Sequence, residues 1–460
     1  MSNVHQAARA LLAEVQQGST DPAAMALALA PRLAAAPDDD AARLAIASCL
    51  WTAGRHRDAV VHFRRLAASN PQDAGILFWL GRSLMQTGAL VEGEALLRVV
   101  ATEFPDHADV QAWWGMALFA QRRHAEALAP LEAALALRPA EKQWHMARAE
   151  ALLAVGRWHE GWAEHAWRWH GIPPDPRRAP INPLGNVFAK PNPTSWRGRA
   201  VLFHAEQGQG DTLQCLRYVA PAIAAGAQVV LEVQPALRRL AAAIPGVSTV
   251  VAHGDPLPAH ALAVPMFHLP WAFDTAPDTV PAAPYLRADP EAAARWRARL
   301  NSIPGRKIGL VWAGEPRPED PAALATDRRR SIPLAALAPL ATLPGVAFVS
   351  LQKGIAAEQP WPPGLALHDW ATELVDFADT AAIMDGLDLV ISVDTAPLHL
   401  AGALGRPVWL LNRYDSCWRW LLDRDDSPWY PTLRQFRQAS PGDWQGVIAR
   451  VTAALAEFAQ

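Results

Sequence analysis

The sequence predicts an α-helical repeat solenoid followed by two Rossmann-like α/β units, the first of them small. Three observations carry this expectation. Prolines at 37, 71, 105, 139 and 173 recur every 34 residues. Residues 172–198 then hold seven prolines, at 173, 174, 176, 180, 183, 191 and 193. After them, short apolar runs alternate with segments of helical spacing, the pattern of a parallel sheet covered by helices.

The proline ladder is accompanied by other columns at the same step. Gly54, Gly88 and Gly156 share one position, which Arg122 breaks, and Gly81 pairs with Gly115. Ala59, Gly93, Ala127 and Gly161 form a small-residue column, and Phe63, Leu97 and Leu131 a large apolar one. A period of 34 is that of the tetratricopeptide helix–turn–helix unit. The small column allows two helices to touch, the large column fills the space between units, and each proline stands where a helix must stop. Repeats are therefore expected over 1–173, with residues 1–37 as a degenerate first unit or cap. Such arrays usually offer a surface for a protein partner. The last unit carries Trp158, Trp162, Trp167 and Trp169. These either seal the solenoid against the next domain or form an aromatic shelf for an acceptor.

Residues 174–198 read as an extended, proline-rich linker. The first α/β unit, 199–289, is expected to contain strands in RAVLFHAE, AQVVLEV, VSTVVAHG and HALAVPM. The second, 290–440, opens with an Arg-rich helix. Strands are expected in RKIGLVWAGE, VAFVSLQKG, DLVISVDT and RPVWLLN, and helices in IPLAALAPLATL, TELVDFADTAAIMDGL and APLHLAGALG. Residues 441–460 read as a terminal helix. Two such units place ligands at the carboxyl ends of their strands.

The strongest local signal is LDLVISVDTAPLHLAGALGRPVWLL. An apolar strand runs into Asp394 and Thr395, and a helix starts at Ala396. The N–H groups and dipole of a helix N-terminus suit a phosphate. Thr395 adds a hydroxyl, and His399 lies one turn on, on the same face. The competing readings are an ordinary N-cap for Asp394 and Thr395 and a core histidine for His399. In GQGDTLQ, Gly208 and Gly210 permit a tight turn and close approach of a ligand. Leu213 stands where a third glycine would complete a dinucleotide fingerprint, so that motif is absent. Asp211 is a reactive carboxylate or the N-cap of the following helix, and the two roles can coexist. Gln352 and Lys353 end a strand at the same carboxyl edge and are candidates to bind a ligand in the cleft, the competing reading of Lys353 being an ordinary strand-end lysine; Glu358, just beyond, is a candidate contact to a base or ribose.

VDTAPLHLAGALGRPVWLL resembles the donor-site element of the heptosyltransferase-like glycosyltransferases, family 9, which have the GT-B fold. Repeats joined to such a domain also resemble bacterial protein O-glycosyltransferases. The resemblance implies that Asp394, Thr395, Ala396 and His399 hold the diphosphate and sugar of a nucleotide-sugar. It implies that Gly210 adjoins that donor and that Asp211 is the general base. It also sets a cation from DRRRSIPL near the phosphates, with Arg330 preferred to Arg329 by its distance from Pro333. Without the resemblance, that run reads as a solvated basic face. The implied reaction is a single inverting displacement onto a protein or glycan hydroxyl. The alternative is a non-catalytic repeat scaffold with a relic nucleotide-binding domain.

Composition excludes other classes. The chain has 460 residues, 51% hydrophobic and 19% charged, so it is not intrinsically disordered. A net charge of -3 gives no basic field for nucleic acid. Only four of 42 basic residues are lysines (Lys142, Lys190, Lys307 and Lys353), as expected for a GC-rich genome. Cys49, Cys215 and Cys417 are too far apart for a zinc site or a disulfide framework. No signal-peptide pattern, membrane span or Asp-x-Asp motif at a strand end is read. The expectation is a cytoplasmic protein with no cofactor and no metal requirement.

Overall fold

The computed structural model describes residues 3–181 and 185–460. Pro183 of the expected linker lies outside the described residues. The chain forms two compact units, Met1–Leu152 and Leu153–Gln460.

The first unit is a series of helical hairpins. Its helices span Asn3–Gln16, Pro22–Ala35, Asp40–Thr52, His56–Ser69, Ala74–Thr87, Leu90–Glu103, Ala108–Ala120 and His124–Leu137, and Lys142–Ala154 begins the next hairpin. Each ladder proline from Pro37 to Pro139 falls two residues past the end of a second helix, where its missing N–H breaks no helical bond. Asp39 and Asp73 then start the following helices, accepting from the Ala42 and Ile76 amides at 2.9 and 3.1 Å. Phe63, Leu97 and Leu131 are completely buried. The glycine columns mark helix contacts: a Cβ on Gly81 would lie 2.8 Å from Leu97 Cγ, and one on Gly93 would lie 2.9 Å from the Gly81 carbonyl. Gly54, Gly88 and Gly156 have φ of 73°, 86° and 85°, and Arg122 adopts the same left-handed conformation at φ 63°. The period thus imposes its turn on a residue that carries a Cβ.

The second unit contains two all-parallel sheets. The first has β1 (Ala200–His204), β2 (Gln228–Val233), β3 (Thr249–Ala252) and β4 (Leu262–Pro265), in the order β3-β2-β1-β4. The second has β5 (Arg306–Val311), β6 (Val346–Ser350), β7 (Leu367–Asp369), β8 (Leu389–Val393), β9 (Val408–Asn412) and β10 (Leu433–Arg437), in the order β10-β9-β8-β5-β6-β7. A helical solenoid followed by two parallel α/β sheets agrees with the predicted fold class and is consistent with a GT-B arrangement. All eight expected strands are present, and β7 and β10 are additional.

Three segments differ from the sequence reading. IPLAALAPLATL is expected as an α-helix, but Leu334–Thr342 forms 3-10 turns, with Pro339, which has no N–H to donate, inside them. The loop before the arginine run folds as a helix, Pro321–Arg330, with the Ala323 amide bonded to Asp320 Oδ1 at 3.0 Å. TELVDFADTAAIMDGL divides into a short 3-10 turn and the helix Phe377–Met384, whose N-cap is Asp376. The sequence also carries its repeat ladder to Pro173, whereas the compact units part at Leu152. The helix Trp158–His165 packs into the second unit: Trp158 stacks on Trp429 at 4.9 Å, and Trp162 donates from Nε1 to the Thr275 carbonyl at 3.0 Å.

Candidate functional site

The site begins where β1 ends. After His204 the chain turns through Glu206 and Gln207, and Gly208 starts the helix Gln209–Cys215. The Asp211 carboxylate reaches back to the helix start and accepts from the Gly208 amide at 2.8 Å. The sequence offered Asp211 as the N-cap of this helix; it stands instead at the third helical position, and Gly208 is the N-cap. A second group also binds Asp211: Arg419 Nη2 donates to its other oxygen at 2.6 Å. Arg419 Nε meanwhile donates to Gln214 Oε1 at 2.7 Å.

The second half begins where β8 ends. Thr395 is the N-cap of the helix Ala396–Ala403, but its side chain does not cap it. Its hydroxyl turns back to the Val393 carbonyl and to Ser392 Oγ, each at 3.2 Å. The helix therefore starts at Ala396 without a side-chain cap, so its positive end remains open to an anion. His399 is buried, as the core reading expected, yet its ring nitrogen Nδ1 meets the Tyr430 hydroxyl at 2.9 Å rather than a backbone group. Its Nε2 lies 3.9 Å from Asp394 Oδ1.

Gly210 joins the two halves. A Cβ there would lie 2.8 Å from His399 Cδ2 and 3.4 Å from Ala396 Cα. Only a glycine lets the helix carrying Asp211 pack this closely on the helix that follows Asp394. Arg330 closes the side: its Nη1 donates to the Asp394 carbonyl at 3.0 Å, and its Nε to Asp327 Oδ1 at 3.0 Å. Gly210, Asp211, Arg330, Asp394, Thr395, Ala396 and His399 are thereby brought together.

Gln352 and Lys353 have other partners. Gln352 is buried; its Oε1 accepts from the Trp312 and Ala313 amides at 3.0 and 2.9 Å, and its Nε2 donates to the Ala313 and Lys353 carbonyls at 3.1 and 2.9 Å. That carboxamide ties the end of β5 to the end of β6 where the strand ladder stops. Lys353 Nζ donates to the Leu374 carbonyl. Glu358 lies exposed at the end of the turn Ile355–Glu358.

Electrostatics separate the acidic and basic groups. Burial raises the Asp211 carboxyl above its ordinary range, opposed by Arg419 and the Gly208 amide and reinforced by Asp394 and Glu206. Burial lowers His399 to about 3, so its ring is neutral near pH 7; Asp394 acts in the opposite sense, and Arg419, Arg217 and Arg330 assist. A carboxylate that holds its proton more tightly is a stronger base once ionised. A neutral imidazole can donate a hydrogen bond without adding charge.

Two arginines were missed by the sequence reading. Arg419 is one. The other is Arg168, which makes a paired contact with Glu206 at 2.8 and 2.9 Å and donates to His268 Nδ1 at 2.8 Å. Glu206 in turn accepts from the Phe267 amide at 3.0 Å. Arg168 thus braces the loop leading to Asp211. Trp167 and Trp169 are only partly buried, whereas Trp158 and Trp162, each 1% exposed, belong to the core of the second unit. Neither is accessible to an acceptor. The nearest sequence signal for these contacts was the tryptophan-rich stretch after β9, whose partners lie far away in the chain.

Comparison with known proteins agrees with both halves of the chain. Family models described as tetratricopeptide repeat match residues 50–113 and 114–160. The model for glycosyltransferase family 9 (heptosyltransferase) matches residues 371–420, the stretch that contains Asp394, Thr395, His399 and Arg419. Protein FlbA of Caulobacter vibrioides is 28% identical over 92% of this chain and 74% of that protein. Among solved structures, MamA AMB-1 aligns at 22% identity and a TM-score of 0.31, over 35% of this chain and 87% of that chain. MamA from Desulfovibrio magneticus RS-1 aligns at 15% identity and 0.31, over 36% and 93%. The chain is thus similar to tetratricopeptide repeats over residues 50–160 and to glycosyltransferase family 9 over residues 371–420.

Proposed function

We propose that the protein is a cytoplasmic glycosyltransferase that moves a sugar from a nucleotide-sugar to a hydroxyl of a protein or glycan, with inversion and without a metal. The observation that carries this reading is the packing of Gly210 on His399, which sets Asp211 beside the helix start after Asp394. In the proposed step, Asp211 takes the proton of the acceptor hydroxyl as its oxygen attacks the anomeric carbon. The bond from that carbon to the diphosphate breaks, and the leaving charge is met by the Ala396 helix end, the Thr395 hydroxyl and Arg330. His399, fixed by Tyr430, orients the donor as a neutral hydrogen-bonding group. The repeats engage the acceptor or a partner protein. None of the three cysteines forms a disulfide, which fits a reducing compartment.

Melting of the full chain with UDP, ADP, GDP and CMP tests the donor site. A ligand at a hundred times its dissociation constant stabilises the folded state by about 2.7 kcal/mol. A shift with one nucleotide is expected. The absence of a shift with any nucleotide or nucleotide-sugar would refute the reading. Turnover of the matching donor is expected to persist in EDTA, and its loss would refute metal independence.

A further inference from the structure

We infer that the repeat unit contains a receptor for side-chain carboxylates, built around Arg82, which takes an acidic segment of a polypeptide partner. The inference is independent of the transferase reading. Arg82 lies on the helix Ala74–Thr87, and indoles from three successive repeats surround it. Its guanidinium carbon is 4.4 Å from the Trp51 ring, 4.4 Å from Trp79 and 4.3 Å from Trp113, with Phe78 at 5.3 Å. Trp51 and Trp79 contact edge to face at 5.0 Å, and Phe63 stacks behind Trp79 at 6.5 Å. The side chain is therefore held by aromatic faces on several sides.

Its hydrogen-bonding capacity is unused. Arg82 makes no hydrogen bond or ion pair among the described residues, and its Nε is buried without an acceptor. The acid whose field reaches it is Asp109, and that carboxylate is already hydrogen-bonded to Arg138. Burial lowers the Arg82 guanidinium to about 10, with Asp109 acting in the opposite sense, which is the direction expected of a cation shielded from water. Aromatic faces stabilise the cation without occupying its N–H groups. The remaining fork matches a planar carboxylate. Arg82, Trp79 and Trp113 are each only partly buried, so the group can be reached from solvent.

Isothermal titration calorimetry reads binding, because only three of the 20 tryptophans line the site and intrinsic fluorescence would not isolate it. The full chain would be titrated with a synthetic Glu–Gly alternating peptide and with its Gln–Gly counterpart. Saturable binding of the Glu peptide alone, weakened by salt, is expected. Arg82→Met is expected to weaken it at least about tenfold, the loss appropriate to a charge-assisted hydrogen bond. Equal binding of the two peptides, no saturable binding, or undiminished binding by Arg82→Met would each overturn the inference. If Arg82→Met fails to fold, the comparison of the two peptides on the unaltered chain decides alone.

Discussion

Gly210→Ala separates the account from ordinary expectation by the sign of its effect. An alanine in a helix normally gains about 0.5–1 kcal/mol over glycine. Here the new Cβ would stand 2.8 Å from His399 Cδ2, whereas carbon atoms normally approach to about 3.5–4.0 Å. The imidazole has little room to move. It is buried, bonded to Tyr430 at 2.9 Å and flanked by Trp420 at 5.5 Å between ring centroids. The two helix starts must therefore separate by several tenths of an ångström. Overpacking of this kind costs about 1–3 kcal/mol. Less the helix gain, the net cost is at most about 2.5 kcal/mol; at about 2–4 °C per kcal/mol, the scale of domains of about 150–250 residues, the second unit should melt up to roughly 10 °C lower. The separation also acts on Asp211 and the helix N-terminus, where a displacement near 1 Å costs about a hundredfold in rate. Calorimetric melting and turnover of the donor identified by nucleotide screening measure both effects. A variant that melted at or above the parent temperature and kept full turnover would refute the reasoning.

Three further outcomes follow from the same geometry. Arg419→Gln removes the cation that favours ionised Asp211, so Asp211 should hold its proton to higher pH; the acid limb of the pH–rate profile should move up by about one unit or more, and an unmoved limb would exclude the contact at 2.6 Å. Arg122→Gly relieves a left-handed conformation that its sibling positions assign to glycine; the repeat unit should gain about 1 kcal/mol in urea unfolding, and a loss would show that the Arg122 side chain matters more than its backbone. Burial holds His204 and His399 each near about 3 and also lowers His165 and His268. A lowered histidine means that the unfolded chain takes up the proton first, so stability should be full above about pH 6.5 and fall below it, by up to about 1.4 kcal/mol per pH unit for each histidine; a urea midpoint unchanged between about pH 7.5 and about pH 5.5 would contradict this.

What the sequence disclosed depended on how far apart the interacting residues are. The proline ladder and its columns act within one repeat or between neighbours, so a period of 34 was enough to read them. The strand running into Asp394 and Thr395 and the glycine turn before Asp211 are likewise local, and both sit at strand ends as expected. Arg419 was not legible, because its partner lies 208 residues earlier. Arg168 and Glu206 have the same character, with 38 residues between them. Gln352 was placed at the right strand end, but sequence position does not tell which way a carboxamide turns, and this one bonds the backbone of the neighbouring strand. Pro339 was overlooked within an apolar run whose spacing otherwise suited a helix. β7 and β10 were missed for different reasons: the first is three residues long, and the second, at the sheet edge, interrupts its buried side chains with Arg434 and Arg437.

The central claim is that Asp211 and the Asp394–His399 element form one transfer site, in which Asp211 acts on the acceptor. Asp211→Asn, assayed side by side for nucleotide affinity and sugar transfer, tests it most directly. Nucleotide affinity is expected to be retained while transfer falls by about a hundredfold or more, the contribution of a general base. Transfer at the parent rate by a folded Asp211→Asn chain would contradict it.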